Sequence, residues 1–351
     1  MKTIIQTMDR KNLIAKDFYK AAELLKQGQL VAFPTETVYG LGGNALDETA
    51  AKRIYEAKGR PSDNPLIVHI ADLKDLKKLA VDIPEAGYRL AEAFWPGPLT
   101  MIFKKSELVP YSTTGGLDTV AVRMPSDPIA SMLIKESNLF IAAPSANSSG
   151  RPSTTKAEHV IEDLSGKISM IIDGGAVDIG LESTIIDLSS EHPLILRPGY
   201  ITKAQLMDVI GDVDYDKAIL KREANVNIVA KAPGMKYKHY APKGELTIYE
   251  GDMTKVISRI NEESKEKVGM GERVGILATD ETIQYYQNGI VKSIGSRNDE
   301  KAIASHLFDI LREFDTLGIT YIYSESFQDD NLGQAIMNRL LKAAGYHIIT
   351  V

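Results

Sequence analysis

The chain has 351 residues, no cysteine and a formal net charge of −6, and 44% of its residues are hydrophobic. Because cysteine is absent, a disulfide scaffold, a cysteine nucleophile and a thiolate metal site are excluded. This length and composition are typical of a globular protein with about two domains. No apolar run reaches the ~18 residues of a membrane helix, and the N-terminus is too polar for a secretory signal, so we expect a cytoplasmic protein without a membrane partner.

The first part of the chain alternates helical and strand-like patterns. Apolar residues at helical spacing follow Asp17, which we expect to be the helix N-cap, and Gly28 ends this helix before a strand at residues 30–33. A second helix is predicted from a cap at Asp47 to Lys58, with Gly59 as its C-cap. Short apolar runs predict further strands at residues 66–70, 99–103, 119–124, 139–143, 169–173, 183–188 and 194–197. The pattern predicts an α/β domain built on a large sheet.

Polar loops follow several of these strands directly. They are rich in Gly, Pro, Ser and Thr, and they occupy residues 34–45, 58–66, 143–155, 173–184 and 196–199. Loops at strand ends are where α/β proteins place their ligand-binding groups. Since these loops are more numerous than turn formation requires, we expect them to form the functional site.

A basic segment separates this domain from a second α/β pattern. Residues 213–243 carry seven Lys and Arg against three Asp and Glu, whereas the parts on either side are acidic overall. Behind this segment, strands are predicted at 246–251, 273–279, 290–295 and 319–324, with helices after the first strand, near 281–287, at 300–314 and at 331–344. This alternation predicts a small parallel, doubly wound sheet. We therefore predict domains at 1–212 and 244–351, joined by a linker at 213–243.

Two common nucleotide-binding fingerprints, GxxxxGK[ST] and GxGxxG, are absent. Lys58 and Arg60 instead flank the helix-ending Gly59, and an ammonium beside a guanidinium suits a polyphosphate. The alternative is an exposed basic helix end, which the helix dipole would favour. The pair alone does not decide between the two.

The loop at 143–155 follows an apolar strand and offers the polar side chains of Ser145, Asn147 and Ser153. Such a loop can bind a phosphate or a sugar, although Ser and Gly also form plain turns. His69 lies between apolar neighbours, a setting typical of a core histidine bonded to the backbone. Arg123 needs an anionic partner, either a structural carboxylate or a substrate carboxylate, and the sequence leaves both open.

The linker interleaves basic and aromatic residues. These are Lys231, Lys236, Lys238, His239 and Lys243, with Tyr237 and Tyr240 between them. Such a segment is either a solvated spacer or a flap over an anionic ligand.

Taken together, these motifs resemble the YrdC-like domain family. They are FPTETVYGLGGNA, Lys58-Gly59-Arg60 followed by NPLIVHI, WPGPLT, TVAVRMP, PSANSSGRPS, LESTIID and LRPG, in that order. With PGMKYKHYAP and the second domain behind them, the whole chain is similar to the two-domain threonylcarbamoyl-AMP synthases. The resemblance implies a YrdC-like domain with a large twisted mixed sheet and flanking helices, a linker that folds over the active site, and a small Rossmann-like C-terminal domain.

The resemblance also implies a reaction that joins L-threonine, bicarbonate or CO2, and ATP into L-threonylcarbamoyl-adenylate, with release of pyrophosphate. A separate transferase would use this product to form threonylcarbamoyladenosine in tRNAs that read codons beginning with A. By the same resemblance, the ATP-binding residues are Lys58, Arg60, Asn64, Thr119, Ser145, Asn147, Ser153, Arg197 and His239. The threonine-binding residues are Thr37, His69, Arg123, Ala143 and Ser183.

We expect Lys58, Arg60 and a magnesium ion to offset the triphosphate charge, without a covalent enzyme intermediate. The sequence does not assign the magnesium ligands, and direct tRNA binding stays open. The alternative function is an RNA-binding module without catalysis, which the net charge of −6 disfavours. Carbamoyl transfer, as in hydrogenase maturation proteins that share a YrdC-like domain, is a further alternative, but the zinc-finger segment of those proteins is excluded because cysteine is absent.

Overall fold

The structure is a computed structural model, and it describes residues 2–220, 231–233, 239–328 and 330–351. The chain forms two compact units. The first holds the residues up to Ser149, Ser153–Leu220 and the described linker residues 231–233, and the second holds Gly150–Pro152 and the described residues from His239 onward. Of the basic and aromatic linker residues named above, Lys236, Tyr237 and Lys238 lie outside the described residues.

The first unit is built on a mixed sheet of twelve strands. Its strands are β1 Ile4–Thr7, β2 Val31–Phe33, β3 Gly40–Asn44, β4 Ile67–His69, β5 Ala80–Val81, β6 Leu99–Lys105, β7 Thr119–Arg123, β8 Ile141–Ala142, β9 Met170–Asp173, β10 Thr184–Asp187, β11 Leu194–Arg197 and β12 Asp214–Tyr215. The order across the sheet is β1-β9-β2-β3-β8-β4-β7-β6-β10-β11-β12, with β5 paired to β6. Both parallel and antiparallel neighbours occur, as in the pairs β4 with β7 and β6 with β7.

The helices of this unit are short, and several begin directly after a strand or its loop. They are α1 Tyr19–Lys26, α2 Glu48–Lys58, α3 Leu76–Leu79, α4 Glu85–Phe94, α5 Tyr111–Thr114, α6 Pro128–Ser137, α7 Ala157–Leu164, α8 Lys203–Ile210 and α9 Lys217–Leu220, with 3-10 turns at Ala15–Phe18 and Leu73–Asp75. Among the residues that the structure describes, no helix combines the length and apolar character that crossing a membrane requires.

The predicted caps of the first two helices have different outcomes. For α2 they are confirmed, because the Asp47 side chain accepts a hydrogen bond from the Thr49 N–H at 2.8 Å and Gly59 ends the helix with a left-handed φ of 64°. The prediction for Asp17 is wrong, because a 3-10 turn begins at Ala15, before it. The Asp17 carboxylate reaches back from inside this turn to the N–H of Ile14, at 3.3 Å.

Side chains on the central strands alternate between two faces of the sheet, as the two-residue period of a strand requires. Val120 and Val122 belong to the main hydrophobic core. Ala121, between them, packs with Ile67 and Ile102 in a smaller cluster on the opposite face. The sheet therefore has a second face that carries this smaller cluster.

This second face carries the candidate site. Thr119 and Arg123 share it with Ala121, because they lie two residues before and after it on β7. Ala232 of the linker is fully buried and belongs to the same cluster. At least this described part of the linker therefore packs on the site face of the first unit.

The second unit contains an all-parallel five-stranded sheet. Its elements are β13 Glu245–Glu250, α10 Met253–Gly269, β14 Val274–Ala278, a 3-10 turn at Ile283–Tyr285, β15 Ile290–Ser293, α11 Glu300–Thr316, β16 Tyr321–Glu325, α12 Asn331–Ala343 and β17 Ile348–Thr350. The strand order is β15-β14-β16-β13-β17. The helix predicted near 281–287 is only the 3-10 turn, and β17 extends the predicted sheet at its edge.

Helix α11 also holds Gly150–Pro152, which belongs to this second unit. Arg312 is 2% exposed and donates from Nε to the Pro152 carbonyl at 3.1 Å. Arg151 forms an ion pair with Asp315 at 3.2 Å. A buried arginine and an ion pair thus tie these three residues to α11.

The second unit also buries the carboxylate of Glu325, at the end of β16. Its carboxylate is fully buried, accepts a hydrogen bond from the Tyr286 hydroxyl at 2.8 Å and is bonded also to Thr282 and Arg297. Because the carboxylate has partners for both oxygens, this network stabilises the fold and leaves no group directed at a ligand.

Candidate active site

The floor of the candidate site spans neighbouring strands of the large sheet. Arg123 on β7 is paired in register with His69 on β4 and with Thr100 on β6, and Thr100 is paired with Ile185 on β10. Side chains of directly paired residues lie on one face, roughly 5 Å apart at Cβ. The register therefore places an imidazole, a guanidinium and a hydroxyl side by side.

Arg123 is buried and already has protein partners. It is 4% exposed, its Nη2 lies 2.8 Å from Oε1 of Glu36, and its Nη1 donates to the Thr37 hydroxyl at 2.9 Å. Glu36 is itself 6% exposed. A structural carboxylate is therefore present, yet the buried Nε of Arg123 has no acceptor among the residues described. At least the Nε donor of this buried cation is therefore available for a ligand.

The charge of Arg123 also sets the protonation state of Glu36. Burial by itself would raise the pKa of Glu36, but the Arg123 charge and hydrogen bonds bring this pKa below its usual value. Glu36 is therefore a carboxylate at neutral pH. The ion pair leaves this part of the site with no net charge.

The hydroxyl of Thr37 has a defined direction. The Thr35 hydroxyl donates to the carbonyl of Val38 at 2.7 Å, so the Thr37 hydroxyl must be the donor in its 2.8 Å contact with Thr35. Thr37 accepts from Arg123 on its other side. What remains on Thr37 is one lone pair, which can accept a hydrogen bond from a ligand.

His69 is a neutral imidazole with a defined tautomer. Its Nδ1 lies 3.0 Å from the carbonyl oxygen of Ile67, which can only accept, so Nδ1 carries the hydrogen and Nε2 is an acceptor. Burial, reinforced by the Arg123 charge, lowers the pKa of His69 to about 3. The N–H of Ala143 donates to the same Ile67 carbonyl at 2.9 Å, which brings Ala143 next to the ring.

Replacing His69 with Asn should flatten the pH dependence of stability below pH 6.5. The native ring stays neutral down to its pKa of about 3, whereas the unfolded ring takes up a proton near 6.5. The unfolded state binds more protons in this window. The free energy of unfolding therefore decreases as the pH is lowered, by up to ~1.4 kcal/mol per pH unit from this group. Urea unfolding at several pH values between about 7.5 and 5 measures this slope. Parallel profiles for wild type and His69→Asn would contradict the assignment.

Ser183, directly before β10, meets Arg197 at the end of the adjoining strand β11. Arg197 donates from Nε to the Ser183 carbonyl at 3.0 Å and from Nη2 to the Ser183 hydroxyl at 3.1 Å. The turn after Arg197 depends on Gly199, where a Cβ would lie 2.4 Å from the backbone nitrogen of Thr184. Glycine therefore allows the LRPG turn to approach Ser183 closely.

Lys58 lies against the serine-rich loop. It is 4% exposed, and its ammonium donates to the carbonyl oxygens of Ser145 and Asn147 and lies 3.4 Å from the Asn147 side-chain oxygen. The Ser145 hydroxyl donates to the same side-chain oxygen at 2.5 Å. The alternative of an exposed basic helix end is therefore wrong for Lys58, because its charge is buried against the loop.

Arg60 and Asn64 belong to the turn after α2. Arg60 donates from Nη2 to the carbonyls of Asn64 at 3.3 Å and Pro65 at 3.1 Å. Asn64 is 1% exposed, and its Oδ1 has no hydrogen-bond partner within the described ranges. Arg60, Tyr55 and other residues line a cavity of about 770 Å³ beside this turn. Of the ATP-binding residues named from the sequence, Arg60 lines this open cavity.

Ser153 and Glu182 bring two further loops together. The Ser153 hydroxyl donates to the carboxylate of Glu182, and the two side chains are 0% and 6% exposed. Thr119 begins β7 on the site face, opposite Lys104 on β6. His239 lies in the second unit, where its ring centroid is 5.5 Å from that of Tyr240.

The structure thus joins the residues named from the sequence into groups. One joins Thr37, His69, Arg123 and Ala143, a second joins Ser183 and Arg197, and a third joins Lys58, Ser145 and Asn147. Sequence reasoning did not identify Glu36, Thr100 and Glu182. All three lie inside the quoted motifs. Glu36 and Glu182 each directly precede a named site residue, which is the signal that could have found them, whereas Thr100 has no named site residue beside it in the sequence.

Comparison with known proteins gives the family. Residues 23–199 match the Sua5, YciO and YrdC family model, described as telomere recombination, and residues 201–345 match that of the threonylcarbamoyl-AMP synthase C-terminal domain. The chain is 51% identical over 331 residues to the threonylcarbamoyl-AMP synthase of Pyrococcus abyssi, covering 94% of this chain and 95% of that protein. For the Bacillus subtilis threonylcarbamoyl-AMP synthase the identity is 50% over 331 residues, covering 94% and 93%.

A solved structure agrees with these matches. The crystal structure of P. abyssi Sua5 complexed with L-threonine is 49% identical, has a TM-score of 0.93 and covers 99% of this chain and 100% of that one. The predicted α/β fold, with a large mixed sheet and a separate parallel sheet, is confirmed, and an enzyme is supported over the RNA-binding alternative. The chain belongs to the threonylcarbamoyl-AMP synthase family, in the form with both a YrdC-like and a C-terminal domain, and is a nucleotidyltransferase.

Proposed function

We propose that this chain joins L-threonine, CO2 or bicarbonate, and ATP into L-threonylcarbamoyl-adenylate and releases pyrophosphate. Family membership and the L-threonine complex of the P. abyssi relative support the reaction. The observation that carries the proposal for this chain is the buried Arg123 beside the neutral His69, because its Nε has no acceptor among the residues that the structure describes. A buried cation with an unused donor, next to an uncharged acceptor, suits the carboxylate and hydroxyl of one amino acid.

For threonine, we assign the carboxylate to Arg123 and Ser183 and the hydroxyl to Thr37 and His69. The lone pair left on Thr37 and the acceptor Nε2 of His69 suit a hydroxyl donor. Ala143 contributes its backbone beside His69. A site that hydrogen-bonds a hydroxyl rejects analogues without it strongly.

For ATP, we assign the phosphates to the two loops that Lys58 and Ser153 hold, together with Arg60 and Arg197. Asn64 offers its buried Oδ1, and Asn147 and Ser145 offer the loop that Lys58 stabilises. Thr119, on the site face, and His239 complete the proposed set. Lys58 and Arg60 are the proposed catalytic residues, because a fixed positive charge at the loop offsets charge that develops during phosphoryl transfer.

Magnesium fits this site as the counter-ion of ATP. Within the described ranges, no group of three His, Cys, Asp or Glu side chains could hold a metal by itself. Mg2+ is commonly held by one or two carboxylates together with substrate phosphates. Glu182 is a buried carboxylate beside Ser153, and we propose it as the residue that faces the ion. When bound, the ion would neutralise part of the triphosphate charge.

The proposed reaction needs no covalent enzyme intermediate. The threonine amine adds to CO2 and releases a proton, which gives a carbamate. A carbamate oxygen then attacks the α-phosphorus in line, and the bond between the α-phosphorus and the bridging oxygen breaks as pyrophosphate leaves. The chain's contribution is to position both substrates and to stabilise charge.

The linker and the cellular context complete the proposal. The burial of Ala232 against Ile67 and Ala121 supports a linker that covers the site and excludes water from the labile product. We place the enzyme in the cytoplasm. There a tRNA threonylcarbamoyl transferase would receive the product, and a transient contact between the two proteins is sufficient for this transfer.

Pyrophosphate release tests this function. We expect release from ATP, Mg2+ and bicarbonate to depend on threonine and to be lost without bicarbonate. Serine keeps the hydroxyl but lacks one methyl, worth ~1–3 kcal/mol, so serine should react about 10- to 200-fold less efficiently. A serine reaction as efficient as that of threonine would contradict the assigned threonine site. Folded protein that shows no amino-acid-dependent release, but binds tRNA in a steeply salt-dependent way, would favour the RNA-binding alternative.

A further inference from the structure

Thr100 lies at the centre of the site floor and is the last residue of the WPGPLT motif, but none of the roles proposed above includes it. It is fully buried on β6, in register with Arg123 on one side and Ile185 on the other. Its hydroxyl lies 2.7 Å from the hydroxyl of Ser183. Of the residues described, no other forms a hydrogen bond with the Thr100 side chain.

The two hydroxyls hold more hydrogens than their contacts use. A hydroxyl has one hydrogen and two acceptor lone pairs. The pair makes one mutual hydrogen bond, and the further contact of Ser183 is with Arg197, which can only donate. One hydroxyl hydrogen of the pair is therefore left without an acceptor in the part of the chain that the structure describes. A buried hydroxyl hydrogen of this kind is available to an acceptor atom of a bound ligand.

We infer that Thr100 is a positioning residue, which donates to Ser183 and thereby directs the Ser183 hydrogen to the carboxylate of the bound substrate. With Thr100 and Arg197 both donating, the two lone pairs of Ser183 are filled, and its own hydrogen points away from them. A hydroxyl fixed in this way is a donor only, so it favours a carboxylate over a group that itself donates. This inference rests on the proposed assignment of Ser183 to threonine.

Two substitutions at Thr100 test this role in the full chain. Thr100→Val keeps the shape and removes the hydroxyl, whereas Thr100→Ser keeps the hydroxyl. The matched control is Thr247→Val in the second unit, which removes another buried threonine hydroxyl, the one 3.2 Å from His347. Calorimetry then measures the affinities for L-threonine, for L-threoninamide, which lacks the carboxylate, and for a non-hydrolysable ATP analogue.

We expect Thr100→Val to weaken L-threonine binding by about tenfold, as the loss of a hydrogen bond to a charged group does. Thr100→Ser should bind threonine within about twofold of wild type, and the ATP analogue should bind all variants alike. The preference for threonine over threoninamide should fall in Thr100→Val only, since this preference reports the donor direction. Thr247→Val should match wild type in all three affinities.

Three results would overturn the inference. One is unchanged threonine binding by Thr100→Val, and another is a parallel loss of threonine, threoninamide and ATP-analogue binding. The third is a failure of Thr100→Ser to restore threonine affinity. Wild-type protein that binds the ATP analogue but not threonine would instead remove the proposed threonine site itself, so the two failures are distinguishable.

Discussion

Replacing Arg123 with Met should destabilise the protein by about 3–5 kcal/mol and abolish threonine-dependent pyrophosphate release. The Arg123 guanidinium lies 2.8 Å from the buried Glu36 carboxylate, and removing one member of a buried pair leaves an uncompensated charge. The same substitution removes the proposed partner of the threonine carboxylate. Urea unfolding and pyrophosphate release therefore report two different losses at one residue.

A double variant separates the two losses. Glu36→Gln together with Arg123→Met removes both charges, and replacing a whole buried ion pair by neutral groups is often close to neutral in stability. We expect the double variant to recover roughly half or more of the lost free energy of unfolding, while threonine-dependent release stays absent. Recovery of release along with stability would show that Arg123 acts only through the fold.

The pH dependence of Arg123→Met provides a further check. In wild type, burial acts to raise the pKa of Glu36, and the Arg123 charge outweighs it. Without Arg123, burial alone raises this pKa above its unfolded value, so the native state of the variant gains a proton as the pH falls. The destabilisation should therefore be smaller near pH 5 than near pH 8. A destabilisation that is independent of pH would contradict the role of the unpaired carboxylate.

The strands of the site floor could be predicted from sequence, but their neighbours could not. The apolar runs at 66–70, 99–103 and 119–124 each coincide with an observed strand, and alternation places Thr119 and Arg123 on one face. Which strands adjoin is set by long-range pairing, and the sequence carries no local signal for it. The prediction of a loop for Gly40–Asn44 is wrong, because pairing with β2 and β8 outweighs the low strand propensity of glycine.

The same limit explains the site residues that sequence reasoning did not find. The partner of Thr100 lies 83 residues away in the chain, and that of Glu182 lies 29 residues away. Glu36 was quoted within its motif, but its pairing with Arg123 depends on the sheet register. The sequence left open whether a structural or a substrate carboxylate is the partner of Arg123. The structure shows that Glu36 is a structural partner. That its Nε has no acceptor among the described residues depends on the folded structure, and the spacing of residues in the sequence does not predict it.

Replacing Lys58 with Met should destabilise the protein by about 2–4 kcal/mol, because two loop carbonyls lose their buried donor. Lys58 is 4% exposed and donates to the carbonyls of Ser145 and Asn147. These carbonyls define the loop that carries proposed ATP-binding residues. A loosened loop should raise the KM for ATP and lower kcat, with a combined loss of roughly a hundredfold or more in kcat/KM. Steady-state pyrophosphate release at a temperature where the variant is folded measures this loss.

The control for Lys58→Met is Lys20→Met, at a lysine whose side chain is 52% exposed on helix α1 and which pairs only with the neighbouring Glu23 among the described residues. An exposed ion pair contributes little to stability, so this control should keep wild-type stability within about 0.5 kcal/mol and wild-type kinetics.

The sharper test of Lys58 compares the affinities for the two substrates. The described contacts of Lys58 are with the proposed ATP-binding loop and not with the Arg123 floor. Calorimetric threonine affinity in Lys58→Met should therefore stay within about twofold of wild type, while the affinity for an ATP analogue falls about tenfold or more. Equal losses for both ligands would mean that Lys58 supports the whole site through folding, and an unchanged ATP affinity would remove it from the proposed nucleotide site.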